Sequence, residues 1–453
     1  MSNTYTPKHQ RTEEPPGPAA APDDLAQSTE SALDAYAKTQ SAAARGAESR
    51  RAATQNKRKR PLIKYLLVAL GVLALGAAGF FIFASFIAPA LEANQQSEAH
   101  QEEQEGAPIE SRVSLVAVGD NLPEIAIGHY GDACAGEMGD GLYDYRPIFA
   151  PIKPYIEAAD LAYICFEIHA GGDAIGPRGW PSFNTTEAMI DAVEDAGFNL
   201  IGSATNHAYD WGHDALTNSA LLWEQRNVLF AGTASSEEKA QEIKTIERNG
   251  IVFSLLSYTY GVNGYQEWEI APYAVNYMHE DQIVSDITQA RRHSDVVLVA
   301  LHWGTEYYAG ADERQLHLAQ VIANAGADVI LGSHPHVIGP LEWVEGTSGN
   351  KTLVAYSLGN FLSRHDLAEP MNELGGMLSC DFVKDEAGVR IENVQWTPVV
   401  NHSEEGAFAV YVLKDYSADL AARSRVFHTL EDPIGWMKAY TEEIIGPVAQ
   451  IKT

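Results

Sequence analysis

The sequence predicts a layered α/β fold over residues 111–453, a four-layer α/β/β/α sandwich, preceded by a disordered tail and one transmembrane helix. Three observations carry that expectation. Short runs rich in Val, Ile and Leu alternate with segments of helical periodicity, the pattern of strands buried between helices. The last third of the chain is richer in strand-like runs, which favours a second sheet over one open sheet. One long apolar stretch stands apart near the N-terminus, between a basic and an acidic flank.

In chain order, residues 1–64 are rich in Pro, Ala, Ser, Gln and charge and nearly lack aromatics. They bury too little apolar surface to offset chain entropy, so a disordered cytoplasmic tail is expected. Residues 65–88 run for 24 positions without a charge, enough for a helix to cross a hydrocarbon core of ~30 Å. A buried core helix is the competing reading, but core helices rarely stay apolar on every face for so long. A cleaved signal peptide fits poorly, because 64 residues precede the apolar run. Arg50, Arg51, Lys57, Arg58, Lys59, Arg60 and Lys64 lie before it, and Glu92, Glu98, Glu102, Glu103 and Glu105 lie after it. The basic side stays in the cytoplasm, so a single-pass protein of the cell membrane with its C-terminal domain outside is expected. Residues 89–110 then form a polar, acidic stalk.

Within residues 111–453, strands are expected at 113–118, 161–166, 200–201, 251–258, 296–301, 329–331, 353–356, 377–382 and 389–396. Helices are expected at 185–196, with Asn184 as N-cap and Gly197 as stop, and at 214–224, 281–291 and 312–325, the last stopped by Gly326. No internal repeat is visible.

Charge narrows the partners. The formal net charge is -30, from 31 Lys and Arg against 61 Asp and Glu. Residues 1–108 hold 11 of the basic and 12 of the acidic residues, so the remainder holds 20 against 49. A domain that acidic lacks the basic footprint that nucleic acid requires, and no nucleic-acid partner is expected. Cys134, Cys165 and Cys380 are odd in number and widely spaced, which excludes a disulfide scaffold. Cys165 and Cys380 sit in apolar runs and read as small buried hydrophobes.

The chemistry-bearing residues follow apolar strands, where ligands gather in α/β folds. Asp120 follows the first strand, Glu167 the second, Asn206 and His207 the third; His302 and Glu306 come later, then His334 and His336, then Asn360. Singly, each has a plain structural alternative: a turn, a cap or a satisfied core histidine. His334-Pro335-His336 is sharper, because two imidazoles flank a stiff residue directly after a strand. As a set, mixed imidazole, carboxylate and amide donors suit one or two divalent metal ions such as Mn, Fe or Zn. Two such ions bridged by a carboxylate would act on esters or amides.

The order G-D-N, F-E, T-N-H-A-x-D-x-G (205–212), H-W-G-x-E-Y (302–307), G-A-D-V-I-L-G-S-H-P-H-V (326–337) and Y-S-L-G-N-F (356–361) resembles the CapA family of membrane-anchored poly-γ-glutamate capsule biosynthesis proteins. The resemblance covers about residues 112–400 and implies a domain similar to calcineurin-like metallophosphoesterases. It implies that Asp120, Glu167, Asn206, His302, His334 and His336 bind metal, with Glu167 in the bridging position. His207 would contact a substrate oxyanion or protonate a leaving group, and Asp210, Glu306 and Asn360 would touch substrate or support the ligands. Phosphoesterases proper open with D-x-H, where this chain has Asp120-Asn121-Leu122, so one histidine ligand has no counterpart. The implied partners are the membrane, an anionic polymer such as poly-γ-glutamate, and other capsule synthase subunits. Two other readings stay open: a surface metallohydrolase of a small ester, and a non-catalytic scaffold subunit.

Overall fold

The computed structural model describes residues 110–364 and 369–453. The expected tail, the transmembrane helix and nearly all of the stalk lie outside the described residues. Among the described residues, no helix is long and apolar enough to cross a membrane.

The strands are β1 (Ser111–Asn121), β2 (Leu161–Cys165), β3 (Leu200–Gly202), β4 (Leu229–Ala231), β5 (Thr245–Arg248), β6 (Ile251–Thr259), β7 (Val296–His302) and β8 (Val329–Ser333). They continue as β9 (Leu341–Glu345), β10 (Lys351–Ala355), β11 (Asn360–Leu362), β12 (Leu374–Asp385), β13 (Gly388–Glu404), β14 (Ala407–Val412) and β15 (Gln450–Ile451). A nine-stranded sheet runs β14-β13-β12-β1-β2-β3-β4, with β11 beside β1 and β15 beside β13; a six-stranded sheet runs β5-β6-β7-β8-β10-β9. Neighbours among β1 to β4 pair parallel, as do those in the row β6, β7, β8, β10, while β12 pairs antiparallel with β1 and β13.

Alternation along single strands builds the layers. In β1, Val113, Leu115 and Ala117 join the core shared by the two sheets, and Val116 and Val118 join the core between the first sheet and its helices. In β7, Val296, Leu298 and Ala300 face the shared core, and Val297, Val299 and Leu301 face the helices Glu280–Ala290 and Glu313–Ala325. A strand apolar on both faces must be covered on both, which is why these stretches read as continuous apolar runs. The result is helices, sheet, sheet, helices.

The expected strands are present, most of them longer than the apolar run alone. The helix expected from residue 185 needs a correction. Its N-cap is Thr186, not Asn184. The Asn184 side chain accepts from Gly171 N (2.9 Å) and donates to Gly176 O (2.8 Å), so it ties down the preceding loop instead. The helices Ile125–Ala135 and Pro433–Ile445 have no counterpart among the expected ones. The first carries Gly128 and Gly131, which lower helix propensity; a Cβ at Gly131 would stand 2.3 Å from the Tyr145 ring. The second opens on a proline, with Asp432 accepting from Gly435 N at 3.0 Å.

Candidate metal centre

Both sheets present the C-terminal ends of their parallel strands to one place. Asp120 stands next to the last residue of β1, level with Cys165 of β2 and Asn360 of β11. His302 ends β7, level with Ser333 of β8. The end of β1 depends on Gly119. A Cβ there would meet Gly359 O at 1.8 Å, and Asp120 N donates to that same oxygen at 2.9 Å.

The two sheets meet through these ends. His334 N donates to Asp120 Oδ2 at 3.1 Å, and His336 Nδ1 lies 3.3 Å from that oxygen. Glu167 Oε1 is 3.6 Å from His302 Nε2 and 3.9 Å from His336 Nε2. His302 Nε2 is 2.8 Å from Asn206 Oδ1, and the His302 and His334 rings stand 4.8 Å apart. The structure therefore brings Asp120, Glu167, Asn206, His302, His334 and His336 together, all of them buried. Donor atoms of Asp120, Glu167 and His336 lie within 4.8 Å of one another, as do those of Glu306, His334 and His336, and those of Asp120, Cys165 and His302.

The donor set fits a divalent cation on a further ground. Asp120 Oδ1, both carboxylate oxygens of Glu167 and His334 Nδ1 are buried with no hydrogen-bond partner. Each such orphan costs about 1–3 kcal/mol, and a bound cation would satisfy carboxylates and imidazole together. Protonation points the same way. Burial, then the Asp120 charge, pushes Glu167 well above the usual carboxylate range. Burial opposes charge on His336, but the Glu167 and Asp120 carboxylates overcome it and raise that imidazole to about 9. Burial and then His336 push His334 down to about 3, and burial pushes His302 well below the ordinary value. These groups contend for protons that a cation would displace.

Around the donors stand the remaining expected residues. Asn360 Oδ1 lies 3.0 Å from His336 Nδ1, and its amide donates to Asn372 O at 2.9 Å. His207 Nδ1 is 2.8 Å from Asp210 Oδ2, its Nε2 is 3.5 Å from the Asn263 amide, and its ring packs edge-on against Phe183 at 4.6 Å. Asp210 also accepts from Phe183 N at 2.8 Å, which fixes the carboxylate that orients the imidazole. Glu306 is exposed, unlike the other candidates, yet its carboxylate reaches His334 and His336.

Several neighbours of the donors are absent from the residues expected from sequence. Cys165 is buried in the shared core, as expected of a small hydrophobe, but its Sγ also lies 3.9 Å from His302 Nδ1. Burial raises its thiol pKa well above the ordinary value, so it stays protonated in the absence of a cation. Its position two residues before Glu167 is the available signal. Ser333 Oγ lies 3.1 Å from His302 Nδ1, and the Tyr260 ring stands 4.8 Å from that of His334. A cleft of about 870 Å³ adjoins the centre, lined by His334, Tyr260, Glu306, Tyr307 and Arg314 among others.

Residues 114–365 match the model of the family described as bacterial capsule synthesis protein PGA_cap. The PGA biosynthesis protein CapA of Bacillus subtilis (strain 168) is 31% identical over 180 residues, 39% of this chain and 46% of that protein. The capsule biosynthesis protein CapA of Bacillus anthracis is 29% identical over 181 residues, 39% of this chain and 43% of that protein. The chain thus spans just under half the length of these curated relatives. Among solved structures, a phosphatase from Mycoplasma pneumoniae aligns with a TM-score of 0.41 at 10% identity, covering 64% of this chain and 95% of that one. That likeness is too distant to bear on function. With the family model matched over more than half of its length, the chain belongs to the bacterial capsule synthesis protein PGA_cap family.

Proposed function

We propose that this protein acts outside the cell membrane in the synthesis, export or processing of a capsule polymer of the poly-γ-glutamate type. In this reading residues 65–88 span the membrane, 1–64 lie in the cytoplasm, 89–110 form a stalk and 111–453 carry a divalent-metal centre. The observation that carries it is the convergence of Asp120, Glu167, Asn206, His302, His334 and His336 around buried carboxylate oxygens that no protein group satisfies. The names of the Bacillus relatives supply the polymer.

Asp120, Glu167 and His336 would hold one ion, and Asn206, His302 and His334 an adjoining one, with Glu167 between them. Bound ions would polarise a scissile amide or ester carbonyl and lower the pKa of water at the site. The chain's own residues do the rest. Asp210 holds His207 at Nδ1, leaving Nε2 to give a proton to a leaving group. Tyr260 and Tyr307 wall the adjoining cleft, and Arg314 offers it a guanidinium suited to carboxylates.

Metal analysis of the purified full chain tests the centre. Wild type should retain Mn or Zn through gel filtration, and His334→Ala with His336→Ala should lose it while the far-ultraviolet circular dichroism stays unchanged. Equal metal content in both proteins would sink the reading. Topology is tested apart from this: protease added to intact cells should release a fragment beginning within residues 89–110. A large domain that resists external protease until the cells are opened would place it on the wrong side.

A further inference from the structure

We propose that Glu306 is itself a metal ligand, closing the solvent side of the centre beside His334 and His336; this rests on the metal-centre reading above. Asp120, Glu167 and His336, which would hold one ion, are all buried. Three protein donors leave at least one position on a divalent ion open, to water or to a further side chain. The chain just after β1 supplies no further donor at Leu122, which is buried against Ile168 and Phe183. The Glu306 carboxylate lies within 4.8 Å of His334 and His336 donor atoms, where it can take such a position.

Its placement is built. The loop after β7 is hydrogen-bonded to the end of β8 and the loop beyond it at two points, Trp303 N to Ser333 O (3.0 Å) and Tyr307 N to Pro335 O (2.7 Å). Glu306 sits between those two anchors, beside the two histidines. Three non-glycine residues of these loops take left-handed backbone, Tyr307 at φ 63, His334 at φ 94 and His336 at φ 58. Bulky residues adopt that conformation only where the surroundings hold them there, and such strain gathers at functional sites. Here it accompanies the convergence of both imidazoles and the Glu306 carboxylate on one volume.

Glu306 also has no competing work. Among the described residues its carboxylate makes no hydrogen bond or ion pair, and the residue is exposed. It can therefore turn onto an ion without abandoning a structural contact, and it can leave again when substrate needs the position.

The experiment is a Mn titration of the full chain in detergent, read by competition with a fluorescent chelator and by the paramagnetic resonance of the bound ion. Glu306→Gln, nearly the same shape without the charge, should weaken at least one binding step by roughly tenfold or more, the loss seen even when an outer partner of a ligand is removed. The resonance spectrum should change with it. Glu306→His should restore binding, because imidazole replaces the carboxylate as a donor. The melting temperature of each variant in excess chelator should equal that of wild type. Unchanged affinity and spectrum in Glu306→Gln would overturn the proposal while leaving the centre itself in place. A fall in melting temperature under chelator would overturn it in favour of a structural role. Wild type that binds no Mn would overturn it together with the metal-centre reading.

Discussion

His207 is held by contacts that fix its two nitrogens differently. Asp210 takes Nδ1, Phe183 packs against the ring, and Nε2 faces Asn263 near the surface. Such an arrangement sets the tautomer by the partner of one nitrogen and leaves the other for chemistry. If His207 transfers a proton, His207→Asn should keep metal content and melting temperature and lose about 10²–10⁴-fold in turnover. Lost metal would mark it as a ligand, and intact turnover would remove it from the mechanism. At this scale much of the candidate site was legible, because Asp120, Asn206, His302 and His334 each stand within a few residues of the end of an apolar strand. Cys165 and Tyr260 were not legible. A small thiol and an aromatic look the same in sequence whether they fill a core or border a donor cluster. Glu306 read as a residue that touches substrate or supports the ligands; nothing in sequence shows that the segments after β7 and β8 are laced together.

Among the elements, the helix Glu313–Ala325 shows its stop at Gly326 plainly in the sequence, while Asp312, expected as its first residue, is its N-cap. Asp312 accepts from Gln315 N at 2.9 Å, Gln315 Oε1 accepts in turn from Asp312 N at 3.0 Å, and Gly326 closes the helix with φ 98. The cap also serves the cleft, because Thr305 Oγ1 donates weakly to Asp312 Oδ2 at 3.4 Å. Asp312→Ala should therefore cost about 0.5–2 kcal/mol of stability, measurable by urea unfolding, with metal content retained. Loss of metal in that variant would mean that the loop carrying Glu306 depends on the cap more than its two backbone anchors suggest. The helix expected from residue 185 shows where such reading fails. Asn184 and Thr186 are both plausible caps, and only the folded loop shows that Asn184 is committed to Gly171 and Gly176. Strands such as β4 and β9, at the edges of their sheets, and the three-residue β11 beside β1 are too short to carry a periodic signal of their own.

For the whole molecule the difficulty is charge. Residues 109–453 hold 20 Lys and Arg against 49 Asp and Glu, so a polyanion is repelled as it approaches. The Debye length is ~30 Å at 0.01 M salt and ~8 Å at 0.15 M, so added salt should hide that repulsion before it reaches the cleft. At the cleft, Arg314 is the one guanidinium of the described residues, among the carboxylates of Glu280, Glu306, Asp312 and Glu313. Arg314 makes no hydrogen bond or ion pair among the described residues, and it sits in the first turn of its helix, where the dipole disfavours a cation. A carboxylate of the polymer would relieve both conditions. Association of a labelled oligo-γ-glutamate with the Mn-loaded full chain, followed by stopped flow, should therefore quicken as salt rises, the reverse of the trend for oppositely charged partners. Arg314→Glu should leave that slope nearly unchanged and speed dissociation by about fivefold, the equivalent of roughly 1 kcal/mol for an exposed ion pair. Association that slows with salt would mean that a local basic surface, not the net charge, governs the encounter. Dissociation unaltered by Arg314→Glu would move the carboxylate contact away from this cleft, and with it the direction in which the polymer crosses the centre.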